Sequence, residues 1–211
     1  MFTGIIRGKF PIVVLEDKPG LRSFEVAIST VSLRVPSWQD EAISLGSSIS
    51  VDGVCLTVVQ ITNDRVRFDV MEETLRKTTL GDLKEGDLVN IERSAKMGDE
   101  IGGHVMSGHV STVAEIIDVH EFENNKVMTF KVDPVWMKYI FSKGFIGLDG
   151  ASLTVVDAEK NKGTFQVWFI PETLRLTRFG EKKVGDKVNV EIDPVTQAIV
   201  ATVELYMQNQ K

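Results

Sequence analysis

Cys55 and Ser152 occupy matching places in two related stretches of the chain, and each is followed by Leu-Thr. A thiol and a hydroxyl are matched in size but not in chemistry, so the pairing points to two similar pockets with different tasks. The plainer reading makes Cys55 a small buried core residue. Thr57 and Thr154 lie two residues on and share the strand face of Cys55 and Ser152. Their hydroxyls suit a polyol or a carbonyl, although threonine is also a good strand former. Gly102-Gly103-His104-Val105-Met106-Ser107-Gly108-His109 places two histidines five residues apart among glycines, which suggests close approach of backbone to a ligand. A metal site is the weaker reading: there is one cysteine, the third histidine is His120, and no carboxylate ligand pattern stands nearby. Nor do these glycines lead into Gly-Lys-Ser/Thr or a dinucleotide fingerprint. Glu73-Thr74 and Glu172-Thr173 recur as pairs, which lifts them above ordinary solvated carboxylates, and Asp69 and Asp193 lie beside repeated motifs.

These residues repeat because the chain is written twice. Ser48–Val59 precedes Phe145–Val156 by 97 residues, with seven of twelve positions identical. Glu73-Thr74-Leu75-Arg76 returns as Glu172-Thr173-Leu174-Arg175, Gly86–Glu92 as Gly185–Glu191, and Pro36-Ser37-Trp38 as Pro134-Val135-Trp136. More weakly, Thr3-Gly4-Ile5-Ile6 answers Ser107-Gly108-His109-Val110. The order is kept throughout, the mark of a duplicated domain joined near Lys96 to Gly103.

Strands must position these groups. Val66-Arg67-Phe68-Asp69-Val70 and Thr164–Phe169 alternate apolar and polar residues, the period of a half-buried strand. Leu56–Ile61 and Ile146–Leu148 are short runs bounded by Gly and Asp. Phe2–Ile6 reads as the first strand. About six such strands per repeat predict a closed antiparallel barrel, hence an all-β chain of two tandem six-stranded barrels, residues 1–97 and 98–193. One short helix per half is expected after Pro36 and after Pro134. Residues 194–211 break the symmetry: Val195, Ile199, Val203 and Tyr206 fall at helical spacing, Asp193 can cap, and Pro194 suits the first position. An amphipathic helix with no domain left to pack on suggests self-association; the alternative folds it back on its own barrel.

Composition narrows the class. The 211 residues carry 24 Lys and Arg against 30 Asp and Glu, a formal net charge of -6. An acidic chain lacks the footprint of a nucleic-acid binder or a polybasic membrane segment. No apolar run approaches the ~20 residues of a membrane span. Gly4, Arg7 and Gly8 interrupt any signal-like stretch at the N-terminus. The lone cysteine fits a reducing compartment, and the expected location is cytoplasmic.

Taken together, the motifs resemble the riboflavin synthases of the alpha-chain type, a lumazine-binding repeat family. The markers are Asp52-Gly53-Val54-Cys55-Leu56-Thr57, Glu73-Thr74-Leu75-Arg76, Gly102-Gly103-His104, Ser107-Gly108-His109-Val110, Asp149-Gly150-Ala151-Ser152-Leu153-Thr154 and Ile170-Pro171-Glu172-Thr173. They span almost the whole chain. The resemblance implies two barrels plus a C-terminal helix that assembles a homotrimer. It implies one 6,7-dimethyl-8-ribityllumazine per barrel, and a dismutation in which one molecule gives a four-carbon unit to the other. No cofactor or metal is implied. Carried over, the N-barrel pocket comprises Gly4, Ile5, Ile6, Cys55, Leu56, Thr57, Asp69, Val70, Met71, Glu72, Glu73 and Thr74. The C-barrel pocket comprises Gly108, His109, Val110, Lys143, Ser152, Leu153, Thr154, Trp168, Phe169, Ile170, Pro171, Glu172 and Thr173. Phe2, Ser48, Cys55, His104, His109, Ser152 and Asp193 match positions tied to catalysis. Ser111 and Glu172 stand where Asp and His are frequent, which leaves the roles at those two places open. A lumazine synthase capsid is a candidate partner. The alternative within the family is a non-catalytic lumazine- or flavin-binding antenna protein, and those tend to lose the second repeat's motifs.

Overall fold

The computed structural model describes residues 1–28 and 43–210. The first half forms β1 (Gly8–Lys18), β2 (Leu21–Ala27), β3 (Ser48–Val51), β4 (Val54–Thr62), β5 (Arg65–Met71) and β6 (Leu88–Arg93). The second forms β7 (Thr112–Glu121), β8 (Lys126–Lys131), β9 (Phe145–Leu148), β10 (Ala151–Glu159), β11 (Thr164–Phe169) and β12 (Lys187–Ile192). Each set closes into an antiparallel barrel with the same cyclic order, β1-β2-β5-β4-β3-β6 and β7-β8-β11-β10-β9-β12. Closure demands sharply bent strands. The register accordingly slips between Ile12 and Val14, Val58 and Gln60, Ile116 and Asp118, and Val155 and Asp157, one bulge at each equivalent corner.

Alternation builds both cores. On β5, Val66, Phe68 and Val70 are buried while Asp69 and Met71 face out. Phe24 and Phe68 meet at 5.7 Å in one barrel, Phe130 and Phe165 at 5.3 Å in the other. The expected two-barrel architecture is thus present, with two local differences. The first strand begins at Gly8, not Phe2: Gly4 takes φ +74°, which ends the extended run, and Phe2 makes only an isolated bridge to Met106. The structure also adds two short helices to the expected elements, α1 (Glu72–Lys77) and α2 (Pro171–Leu176). Their signals were acidic residues in the first turn, basic ones in the last, and Pro171 at the start. The stretch after Pro134 is a 3-10 helix, Pro134–Tyr139, with Asp133 Oδ1 accepting from Val135 N. The helix expected after Pro36 lies outside the described residues.

α3 (Pro194–Gln208) forms as read, with Asp193 accepting from Thr196 N at 2.9 Å. Lys138 and Glu204 pair at 2.6 Å, yet no α3 residue is buried.

The barrels meet through their Asp-Gly turns. Asp52 and Gly53 (φ +44° and +82°) and Asp149 and Gly150 (+41° and +82°) have the doubly positive φ of a primed hairpin turn. The turns lie back to back: a Cβ on Gly53 would sit 2.7 Å from Gly150 N. Asp52 accepts from Asn90 N at 2.8 Å and Asp149 from Asn189 N at 2.7 Å. The amides cross over, Asn90 Nδ2 donating to Asp149 O and Asn189 Nδ2 to Asp52 O. Both neutralising cations come from the second half: Arg178 meets Asp52 at 2.8 Å, and Lys182 meets Asp149 at 3.1 Å. Burial, with Asp149 adding, pushes the Asp52 carboxyl up to about 6 from the ordinary 3.8 against the pull of Arg178.

A carboxyl with a raised folded pKa stabilises the fold while protonated, fully below about pH 4, and loses that contribution as pH climbs through about 6. Arg178→Met removes the nearest cation and raises Asp52 further. Urea unfolding is expected to show a loss of about 3–5 kcal/mol near pH 8, and a smaller loss near pH 5, where Asp52 holds a proton. Equal losses at both pH values would contradict this.

Candidate functional site

Alternation on β4 and β10 decides what faces where. Leu56 and Leu153 point into the barrels, so Cys55 and Thr57, and Ser152 and Thr154, face outward. Two non-helical segments strap across these outer faces, and each crosses to the other half's barrel. Ser152 N donates to Gly4 O at 2.8 Å, and Cys55 N to Gly108 O at 2.9 Å. Between the straps, Phe2 and Met106 exchange backbone hydrogen bonds of 2.8 and 2.9 Å. Ile6 accordingly packs into the second barrel's core, and Val110 against the first.

A buried carboxylate holds each strap. Glu92 accepts from Thr3 N and Oγ1, both at 2.7 Å, and from Gly4 N at 3.0 Å. Glu191 accepts from Ser107 N, Ser107 Oγ and Gly108 N at 2.6, 2.8 and 3.0 Å. Burial pushes both carboxyls up, and the strap donors pull them back. The sequence signal for these clamps is the repeated end of β6 and β12, a buried-strand run closing on Glu.

The straps correct the grouping of the expected residues. Gly108, His109 and Val110 stand with Cys55, Glu73 and Thr74 around a cavity of about 190 Å3. Gly4 stands with Ser152, and Gly103 packs in beside them: a Cβ there would lie 2.3 Å from Thr3 O and 2.6 Å from Ser152 Cβ. The close backbone approach at these glycines is therefore to the protein itself. Each site is one barrel's wall under the other half's strap, an exchange that offsets along the chain do not reveal.

The two sites differ chemically. At Ser152, His104 Nδ1 lies 2.6 Å from Ser152 Oγ, and its ring stacks on Phe145 at 5.0 Å. Burial holds the imidazole below its usual pKa, with Asp193 pulling the other way. His104 Nε2 is buried without a hydrogen-bond partner among the described residues. A neutral imidazole bonded to a hydroxyl can hold or pass one proton. At Cys55 the strap brings exposed His109 where the Ser152 site has Ile5.

The remaining residues divide clearly. Val70 and Phe169 are core side chains, as are Leu56 and Leu153, and offer a ligand only backbone. Ser48 pairs with Thr57 on the outer ladder. Asp69 accepts from Ser23 Oγ at 2.6 Å. Met71, Glu72, Ile170 and Pro171 are exposed where strand turns to helix. Glu73 is held below the ordinary carboxylate range by Lys77 and Arg76, and Glu172 by Arg175. Lys143 N donates to Val155 O at 2.7 Å, one step beyond the Thr154–Phe145 pair of the same ladder.

Because Glu191 holds the strap over Cys55, Glu191→Ala is expected to raise the labelling rate of this lone thiol about tenfold, on the scale of a lost charge-assisted hydrogen bond. Glu92→Ala, which frees the other strap, leaves it unchanged. Timed labelling with a thiol reagent checks both; equal rates in the two variants would refute the exchange of straps.

Comparison with known proteins accords with this geometry. A lumazine binding domain matches residues 3–94 and again 107–193. The chain is 50% identical over 205 residues to the riboflavin synthase of Escherichia coli, covering 97% of this chain and 92% of that one. It is 45% identical over 208 residues to the riboflavin synthase of Chlamydia pneumoniae, covering 97% and 96%. Among solved structures, LumP complexed with riboflavin superposes with TM-score 0.80 at 25% identity, covering 92% of this chain and 100% of that one. LumP complexed with 6,7-dimethyl-8-(1'-D-ribityl) lumazine gives 0.76 at 25%, covering 90% and 98%. Two lumazine-binding domains in tandem, aligned end to end with these enzymes, mean that the chain belongs to the riboflavin synthase family.

Proposed function

We propose that this protein converts two molecules of 6,7-dimethyl-8-ribityllumazine into riboflavin and 5-amino-6-ribitylamino-uracil, as a transferase that needs no cofactor. The observation that carries the reading is the pair of sites matched in backbone and different in side chain. A reaction between two identical molecules suits two near-identical clefts, and one molecule must act as donor and the other as acceptor. The C7 methyl group of the lumazine is acidic, so its deprotonation asks little of a base. The partner molecule must be made electrophilic at its own C7. Orientation and exclusion of water between facing sites supply much of the rate, with His104 and Ser152 placed to hold or pass a proton. Phe2 acts by seating the Thr3-Gly4 strap, and Asp193 by its charge on His104.

The protein works as a homotrimer in the cytoplasm, with the N-barrel of one chain facing the C-barrel of its neighbour. The apolar face of α3 supports this: Val195, Ile199 and Val203 are 65%, 59% and 50% exposed in the single chain. The non-catalytic alternative draws on the likeness to LumP in complex with riboflavin. Retention of Cys55, Ser152, His104 and His109 favours the enzyme.

Incubation of the purified protein with the lumazine alone is expected to produce riboflavin absorbance; bound but unchanged lumazine would support the antenna reading. Deletion of residues 194–211 is expected to turn the trimer into smaller species in sedimentation and to cut the rate at least tenfold. A truncated protein that sediments as an intact trimer would sink the role of α3.

A further inference from the structure

On the outer face of the second barrel, Trp168 of the expected pocket stacks with Phe122, a residue outside that pocket. Phe122 follows β7 in the turn Glu121-Phe122-Glu123-Asn124-Asn125 and is 57% exposed. Trp168 on β11 is 51% exposed. Their rings stack at 6.2 Å with planes 17° apart. A bare Phe in an acidic hairpin turn gains nothing from the core, and its ring partner here is Trp168.

The register shows where this pair points. Thr154 is paired with Phe145 on one side, and the match of Val155 with Val167 brings Trp168 beside Thr154 on the other. Phe145, Thr154 and Trp168 all face outward. Two strand spacings separate Phe145 from Trp168, roughly 10 Å, which leaves room for one flat ring between two others. Each wall has a second ring stacked on it: His104 on Phe145 at 5.0 Å, and Phe122 on Trp168 at 6.2 Å. The equivalent row on the first barrel is Ser48, Thr57 and Asp69, with Ser23 bracing Asp69 at 2.6 Å. One slot is walled by rings and the other by hydroxyls and a carboxylate.

We propose that Phe122 is a positioning residue that props Trp168 against the flat bicyclic ring of the molecule bound over Thr154, so that the Ser152 site grips its ligand by ring stacking and the Cys55 site by polar contacts. This rests on the proposed lumazine substrate and names a difference between its two sites.

The test uses the full chain with 6,7-dimethyl-8-ribityllumazine as the probe. Bound lumazine is expected to quench tryptophan fluorescence, and Trp168→Phe removes that component. Phe122→Ala is expected to weaken the Trp168-dependent quenching and raise KM about fivefold, with kcat nearly unchanged. Phe122→Tyr, which keeps the ring, restores both. Phe122 is exposed in a turn, so the urea midpoint of Phe122→Ala stays at the wild-type value. Unaltered quenching and KM in Phe122→Ala would overturn the proposal, and so would a Trp168→Phe protein quenched as fully as wild type. If riboflavin forms without any Trp168-dependent quenching, the slot is wrong and the synthase reading stands. If Trp168 is quenched through Phe122 and no riboflavin forms, the slot stands and the synthase reading fails.

Discussion

Two fully buried aspartates set back to back are the constraint on which the rest of the molecule depends. Asp52 and Asp149 each close a hairpin whose turn presses on its twin, so close that only glycine fits beside them. Two carboxylates brought together out of water repel each other and are poorly solvated, and such an arrangement persists only if every oxygen is answered. The backbone N–H groups of Asn90 and Asn189 each answer one carboxylate oxygen, Arg178 answers the other oxygen of Asp52, Lys182 stands 3.1 Å from Asp149 Oδ2, and the two asparagine side chains answer the turn carbonyls. Because both cations come from the second half, the first barrel's turn is completed by the second. The two barrels are locked in one relative orientation by a network that tolerates no partial version of itself.

That fixed orientation is what allows the straps to cross. Gly4 reaches Ser152 and Gly108 reaches Cys55 because the barrels are held with their equivalent hairpins adjacent. Glu92 and Glu191 then hold each strap from the barrel it came from, while its carbonyl is spent on the barrel it visits. Neither site belongs to one repeat. Damage to either half's strap is felt at the other half's site, and the geometry of Cys55 is tied through Gly108 to a carboxylate on the second barrel.

Symmetry of backbone with asymmetry of side chains is the functional content of the fold. The duplicated scaffold presents two faces of the same curvature. Substitution along them has made one face carry His104, Ser152, Phe145 and Trp168, and the other Cys55, His109, Ser48 and Asp69. A dismutation of one compound asks for this combination, since identical molecules must be bound alike and yet treated differently.

Much of this was legible in the sequence. The repeat was visible because alternation on β5 and β11 and the Asp-Gly turns are local, and local patterns survive in one dimension. Closed barrels followed from many short strands with no edge to spare, and α3 from its spacing and its Asp-Pro cap. The chemistry of Cys55, Ser152 and His104 could be singled out by residue type and by place in the repeat. Their partners could not. That Gly108 serves Cys55 and not Ser152, that Glu191 is a clamp, and that Phe122 stands behind Trp168 depend on contacts spanning 46 to 84 residues. Residues 2 to 6 read as a strand because their apolar character is real, but Gly4 turns the segment at φ +74° and its carbonyl accepts from Ser152 N on the other barrel. Composition and period determined which elements form; only the packing of one barrel against the other decided which elements share a site, because that choice is made by burial and by hydrogen bonds that exist nowhere but in the assembled fold.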